Sequence, residues 1–218
     1  MKGWDDFGGD MTQRRSDDGT AVRRRESADL AGCVAALSAV HRADGYPVDW
    51  PADPARWIRD PDELAAWVAL GPPADGAGPA DPGDRADPGA PAGAPVVLGH
   101  VSLCRGAASS AGAVWAERFG GEADGTGAVA RLFVAPEARG GRLGARLLAA
   151  AVAQARAWEL RPVLDVVTTG TAAVRLYRAL GWRLVATVDQ HWSAGRTVAV
   201  HCFALDDEGG ATFATSTR

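Results

Sequence analysis

The sequence predicts an α/β fold, and three observations carry the prediction. From Val129 to Leu205 the apolar pattern runs strand, glycine loop, helix, strand, helix, strand, strand. Hydrophobic residues make up 47% of the 218, enough to bury a sizeable core. The helical stretches carry one apolar stripe each, as helices lying on a sheet require.

In chain order, residues 1–20 are polar and mixed in charge and read as a disordered tail. Val22–Arg25 is a short strand, and Ser27 is the expected N-cap of a helix whose Leu30, Val34, Leu37 and His41 share one face. Asp44 to Pro54 holds three internal or terminal prolines and the aromatics Tyr46 and Trp50, so it is a loop, leading to a short helix around Ala55–Ile58. Ala65–Leu70 is a strand, stopped by Gly71-Pro72-Pro73 and expected to pair with Val96–Cys104. Between them, residues 71–95 reduce to Gly, Pro, Ala and Asp and form a flexible insertion within the domain. Residues 105–127 are a weakly patterned, loop-like segment in which Trp115 and Phe119, four apart, share a face if it is ordered.

Val129–Val134 is a strand ended by Pro136. The next helix, Arg142–Trp158, carries Leu143, Leu147, Ala151, Val152, Ala155 and Trp158 along its apolar stripe. Val163–Val167 is a short apolar strand. Ala173, Leu176, Tyr177 and Leu180 follow at helical spacing, with Gly181 where a C′ glycine ends a helix. Trp182, Leu184, Ala186 and Val188 alternate as a strand does, and Thr197–Leu205 is the last strand. One domain over residues 21–205, followed by a tail at 206–218, is the resulting organisation.

Charge and cysteine usage exclude several classes. Lys and Arg total 23 against 27 Asp and Glu, a net charge of −4, which argues against a dedicated nucleic-acid binder. No stretch reaches the ~20 apolar residues of a membrane span, and Met1–Thr20, polar and without an apolar run, does not read as a secretion signal. The three cysteines, Cys33, Cys104 and Cys202, lack metal spacing and suit a reducing compartment, so a cytoplasmic location without membrane partners is expected. The histidines show no ligand spacing either, and no metal is expected.

Chemistry concentrates in Arg139-Gly-Gly-Arg-Leu-Gly144, between a strand and a helix. Glycines let a ligand approach the backbone, and a helix N-terminus offers unpaired N–H groups and partial positive charge, together a site for phosphate. Arg139 and Arg142 add charge-assisted contacts. The Gly-Lys-Ser/Thr of a Walker loop is absent, and Ala135–Ala138 separates the turn from the strand, unlike a dinucleotide fingerprint. Taken alone, such a loop is more often a plain turn than a phosphate site.

The run from Leu132 to Leu148, LFVAPEARGGRLGARLL, resembles the acetyl-CoA-binding motif of the GNAT acetyltransferase superfamily. Downstream, AVRLYRALGW from Ala173 to Trp182 is similar to the family's second motif, and Val22–Leu30 loosely resembles its opening strand and helix. The sequence departs from the family pattern at Arg142, which replaces a glycine, at Gly170, which replaces an asparagine, and at Ala128–Ala130, where an acidic residue is frequent. The resemblance implies a mixed, mostly antiparallel central sheet flanked by helices, and acetyl-CoA as co-substrate. It places the cofactor on Leu132, Phe133, Val134, Arg139, Gly140, Gly141, Arg142, Leu143, Gly144 and Ala145. It also implies direct acetyl transfer to an amine, with Tyr177 protonating the thiolate; by spacing alone Tyr177 is an apolar-face core residue.

Glu117, Glu122, Asp124, His100 and His191 are base candidates, alongside a water relay, and each has a plain structural reading. Cys104 and Cys202 read as inert core thiols. Tyr46, Trp50 and Trp57, with Asp44, Asp49 or Asp53, either line an acceptor pocket for a cationic amine or pack helices onto the sheet. The expected partner is a small-molecule amine, and a homodimer is admitted; the alternatives are a protein or peptide N-acetyltransferase and a non-catalytic coenzyme A-binding module.

Overall fold

A computed structural model describes residues 19–73, 95–193 and 196–206. The expected tails and insertion fall outside these residues except at their edges, where Gly71–Pro73 and Pro95 belong to strands rather than to a loop. The described strands are β1 (Ala21–Arg24), β2 (Glu63–Pro73), β3 (Pro95–Arg105), β4 (Thr126–Val134), β5 (Arg161–Val167), β6 (Trp182–Ser193) and β7 (Arg196–Leu205). The described α-helices are α1 (Leu30–Asp44), α2 (Pro54–Ile58), α3 (Ser110–Phe119), α4 (Leu143–Ala157) and α5 (Thr171–Ala179). The sheet order is β1-β2-β3-β4-β5-β7-β6. β1–β2, β5–β7 and β6–β7 are antiparallel, while β4–β5 is parallel, with a register that runs from Thr126↔Arg161 to Ala128↔Val163. This is the mixed, mostly antiparallel sheet that the resemblance implied.

The chain forms two compact units. The first comprises the described residues of Met1–Asp60, Ala66–Val101 and Arg131–Ala150. Its core packs α1 and α2 on β2, β3 and β4 through Leu37, Val40, Ile58, Val68, Val97 and Phe133. The buried face of α1 is Cys33, Ala36, Leu37 and Val40, a rotation from the expected stripe. His41 leaves that stripe because its Nδ1 lies 2.9 Å from the Pro47 carbonyl and its ring packs at 5.1 Å on Trp50. Ser27 is the first residue of a 3₁₀ turn rather than the N-cap. Asp29 fixes that turn instead, accepting the Glu26 N–H at 2.7 Å and the Arg23 fork at 2.6 and 2.7 Å. Burial raises the Asp29 carboxyl, but the Arg23 hydrogen bond and the Glu26 N–H outweigh it and hold it below the usual carboxylate range. Gly45, at φ +68°, ends α1 by donating to the His41 carbonyl at 2.8 Å.

The second unit comprises the described residues of Pro61–Ala65, Ser102–Ala130 and Ala151–Arg218. The segment expected to be a loop contains α3 and two 3₁₀ turns. Ser109 starts α3 by accepting the Gly112 N–H at 3.0 Å, and Gly120 at φ +72° ends it. Ala111, Val114 and Trp115 put α3 on the apolar cluster of Val163, Val200 and Cys202, so tertiary burial stabilises a helix whose own apolar pattern is weak. Trp115 and Phe119 share a face as their spacing required, with ring centroids 5.6 Å apart. Trp158 lies beyond the end of α4 and is 43% exposed, so it is not part of the buried stripe. In β6 a bulge between Leu184 and Ala186 breaks the alternation: Leu184 is 44% exposed, while Val185 and Val188 pack on the core.

Candidate active site

In the first unit, the end of β4 and the start of α4 build the glycine-bearing turn. The 3₁₀ turn Pro136–Ala138 follows β4, and the chain then takes left-handed conformations at Gly140 (φ +89°) and Arg142 (φ +57°) before α4 begins at Leu143. An added Cβ at Gly140 would meet nothing within 4 Å, so glycine serves there for its backbone angle and not for room. Arg142 adopts the conformation for which glycine is usual, at a cost of about 1–2 kcal/mol, and the turn is kept without it. The Arg146 N–H donates to the Arg142 carbonyl at 3.0 Å. The N–H groups of Leu143, Gly144 and Ala145 precede that bond and by helix geometry project from the N-terminus. Leu143 and Leu147 are buried and anchor this end of α4.

Arg139 and Arg142 are exposed, and they differ in commitment. Arg139 forks onto the Asp44 carboxylate, with Nη1 to Oδ1 at 3.1 Å and a second bond from Nη2 to Oδ2. Arg146, also in the first turns of α4, is held by Thr20 Oγ1 at 2.5 Å.

Upstream, β4 is kinked at Arg131, which has φ +51°. Two contacts hold this strained residue: its guanidinium pairs with Asp60 and lies 4.9 Å over the Trp57 ring. A third holds its peptide. His100 is fully buried, its Nδ1 is 3.1 Å from the Arg131 carbonyl, and its Nε2 is 3.0 Å from Arg25 Nη1. An arginine can only donate, so Nε2 accepts and the proton sits on Nδ1. Burial pushes the His100 pKa down to about 3, aided by Arg25 and Arg131. With both ring nitrogens engaged, His100 is a strut under β4 and not a base. Phe133 stacks on it at 5.3 Å and is buried, while Leu132 and Val134 are partly exposed. Gly99 lets β3 approach here: a Cβ on it would lie 2.8 Å from the Phe133 carbonyl oxygen.

The aromatics that either line an acceptor pocket or pack the helices divide. Tyr46 meets Trp57 edge-on at 6.0 Å, and both pack on the core that holds Phe133, whereas Trp50 is 40% exposed beside His41. Asp53 accepts the Arg56 N–H at 2.9 Å and caps α2. Asp44, on Arg139, is likewise engaged.

In the second unit, Tyr177 is 7% exposed on α5, its ring 6.1 Å from Trp182 and 6.2 Å from Phe203. The helix begins at Gly170 without a side-chain cap, and Gly181 at φ +85° follows its end. Glu117, Glu122 and Asp124 are exposed on or after α3, and His191, also exposed, has Nδ1 at 3.0 Å from Thr197 Oγ1. The acid that sequence reasoning missed is Asp165, hidden in an apolar strand. It accepts the Ser110 N–H at 3.1 Å at the start of α3, and Gln190 Nε2 is 3.4 Å away. Burial pushes its carboxyl up despite these donors. Cys33, Cys104 and Cys202 are buried free thiols; burial, with Asp165 nearby, pushes Cys202 up to about 12 and keeps it protonated. Among the described residues no group of His, Cys, Asp or Glu is arranged for a metal, and no helix is long and apolar enough to cross a membrane.

The strands and helices together form a mixed α/β fold with the turn between β4 and α4 at its centre of interest. Residues 96–182 match the model of the acetyltransferase (GNAT) family. Among solved structures it is similar to Arabidopsis thaliana NAA60 in complex with acetyl-CoA, at 16% identity and TM-score 0.58, over 85% of this chain and 97% of that one. It is also similar to the putative acetyltransferase yncA from Salmonella typhimurium with its cofactor acetyl-CoA, at 19% identity and TM-score 0.56 over 89% and 98%. A GCN5-related N-acetyltransferase from Kribbella flavida aligns at 20% identity and TM-score 0.55 over 87% and 98%. These likenesses show the shared fold. No curated protein sequence matches the chain significantly.

Proposed function

We propose that the protein is an acetyl-CoA-dependent N-acetyltransferase that passes an acetyl group directly to a primary amine of a small molecule. The observation that carries the reading is the turn at Gly140–Arg142, with two left-handed residues, opening directly into the N-terminus of α4. Backbone N–H groups from Gly140 to Ala145 take the pyrophosphate, with Arg139 and Arg142 adding charge. The backbone of Leu132, Phe133 and Val134 takes the pantetheine arm and offers an N–H to the oxyanion. The kink that His100 and Asp60 hold at Arg131 fixes the path of that strand.

In the reaction the amine nitrogen attacks the thioester carbonyl carbon, giving a tetrahedral oxyanion. Its collapse breaks the C–S bond, and the departing thiolate takes the phenolic proton of Tyr177. The proton lost by the nitrogen leaves through water, since His100 is committed and the carboxylates named as candidates face solvent. Acetyl-CoA complexes of proteins with this fold support the cofactor assignment.

The test measures thiol release from acetyl-CoA with a panel of small amines and with peptides, next to calorimetry with coenzyme A. Tyr177→Phe is expected to lower kcat by about 10²-fold or more while leaving coenzyme A affinity unchanged. Binding without turnover on any amine would leave a coenzyme A-binding module, and turnover on peptides alone would move the acceptor to protein. A well-folded chain that binds no coenzyme A refutes the reading outright.

A further inference from the structure

Arg139 and Asp44 are 95 residues apart in sequence, yet they meet fork to fork. Nη1 donates to Oδ1 at 3.1 Å, Nη2 donates to Oδ2, and Nε donates to the Val134 carbonyl at 3.4 Å. A phosphate takes a guanidinium through the same two-nitrogen edge. Asp44 therefore stands, in charge and in geometry, where a phosphate would stand. The pair is built to exchange, because each side chain is 43% exposed and surface pairs of this kind are held weakly. Asp44 is also the last residue of α1, leading into the Gly45–Trp50 segment, so its hold on Arg139 ties the turn after β4 to the acceptor-side loop.

We propose that Asp44 is a built-in competitor of the coenzyme pyrophosphate, an exchangeable counter-ion that retains Arg139 until the ligand takes it. The proposal rests on the coenzyme A reading given above and adds a positioning residue to it. Occupation of the turn moves the guanidinium from carboxylate to phosphate, and the Asp44 carboxylate is released beside the acceptor-side loop. No bond is made or broken apart from hydrogen bonds, and one anion replaces another on one cation.

Calorimetry on the full chain tests the exchange, using coenzyme A and dephospho-coenzyme A, which keeps the pyrophosphate and lacks the 3′-phosphate. Asp44→Asn is expected to tighten both ligands by the same factor, about three- to fivefold, the range open to a surface ion pair. Asp44→Glu returns the affinity toward that of the parent chain. Arg139→Gln weakens both ligands, and Asp44→Asn added to it gives no further gain. A damaged fold does not produce tighter binding, so a gain cannot come from structural harm. Unchanged or weaker binding in Asp44→Asn overturns the proposal, as does a gain confined to coenzyme A, which would put Arg139 on the 3′-phosphate. If the parent chain binds and only the gain is missing, the exchange alone fails; if the parent chain binds neither ligand, the coenzyme A reading fails with it.

Discussion

The His100 strut makes the fold sensitive to acid, and the size of the effect follows from its burial. A histidine in the unfolded chain takes a proton below its ordinary value of 6.5, whereas the native one resists to about 3. The native pKa is depressed, so the neutral ring's contribution is complete above 6.5 and drains away as pH falls toward 3. One proton changes stability by about 1.4 kcal/mol per pH unit, so the whole interval is on the order of 5 kcal/mol, comparable with the entire stability of a marginal domain. Urea unfolding at half-unit steps from pH 7 to pH 4.5 reads this slope before carboxylate protonation dominates. His100→Gln is expected to flatten the slope over that range, whatever its stability at pH 7. The reasoning is refuted if NMR of the native chain finds His100 titrating near its free value, a readout that does not depend on the variant folding.

Gly99→Ala places a methyl 2.8 Å from the Phe133 carbonyl and 3.0 Å from Leu147 Cδ1. Overpacking of this kind costs about 1–3 kcal/mol, and because β4 must give way, coenzyme A affinity in calorimetry should fall together with the melting temperature. Leu37→Ala empties a fully buried position of the first unit's core and should cost about 2–5 kcal/mol in urea unfolding, with the m-value unchanged. Asp165 behaves in the opposite sense to His100: its carboxyl is raised, so the native state holds the proton longer and stability falls as pH rises above the ordinary carboxylate value. Asp165→Asn, which keeps an acceptor for the Ser110 N–H, should therefore be at least as stable as the parent at pH 7; a loss there would show that the charge itself caps α3.

Much of this architecture was legible because local rules and tertiary demands agree. Leu143, Leu147, Ala151 and Ala155 are an uninterrupted stripe, and they are buried as the pattern required. The helix Ser110–Phe119 escaped because its residues are mostly small, and only packing on Val163 and Val200 makes the helix pay. A one-residue bulge between Leu184 and Ala186 turns the rest of β6 over, and no residue type announces it. The turn of the candidate site was legible where it depends on a glycine and a helix start, at Gly140 and Leu143. It was silent where it depends on non-glycine backbone strain: nothing about an arginine signals φ +51° at Arg131, and the histidine that supports it resembles a catalytic candidate until its two neighbours are seen. Asp165 carried a faint signal, a single acid in Val-Leu-Asp-Val-Val, an arrangement that asks which donors surround it.

The left-handed arginine at position 142 bears on how such turns are recognised in other genomes. A search template that insists on glycine there selects an amino acid, when what the turn needs is a dihedral angle. A chain that bears the conformational penalty exchanges the smallest side chain for a cationic one and gains a second charge at the mouth of the turn. Templates scored on backbone angles should therefore recover divergent members that letter-by-letter matching passes over.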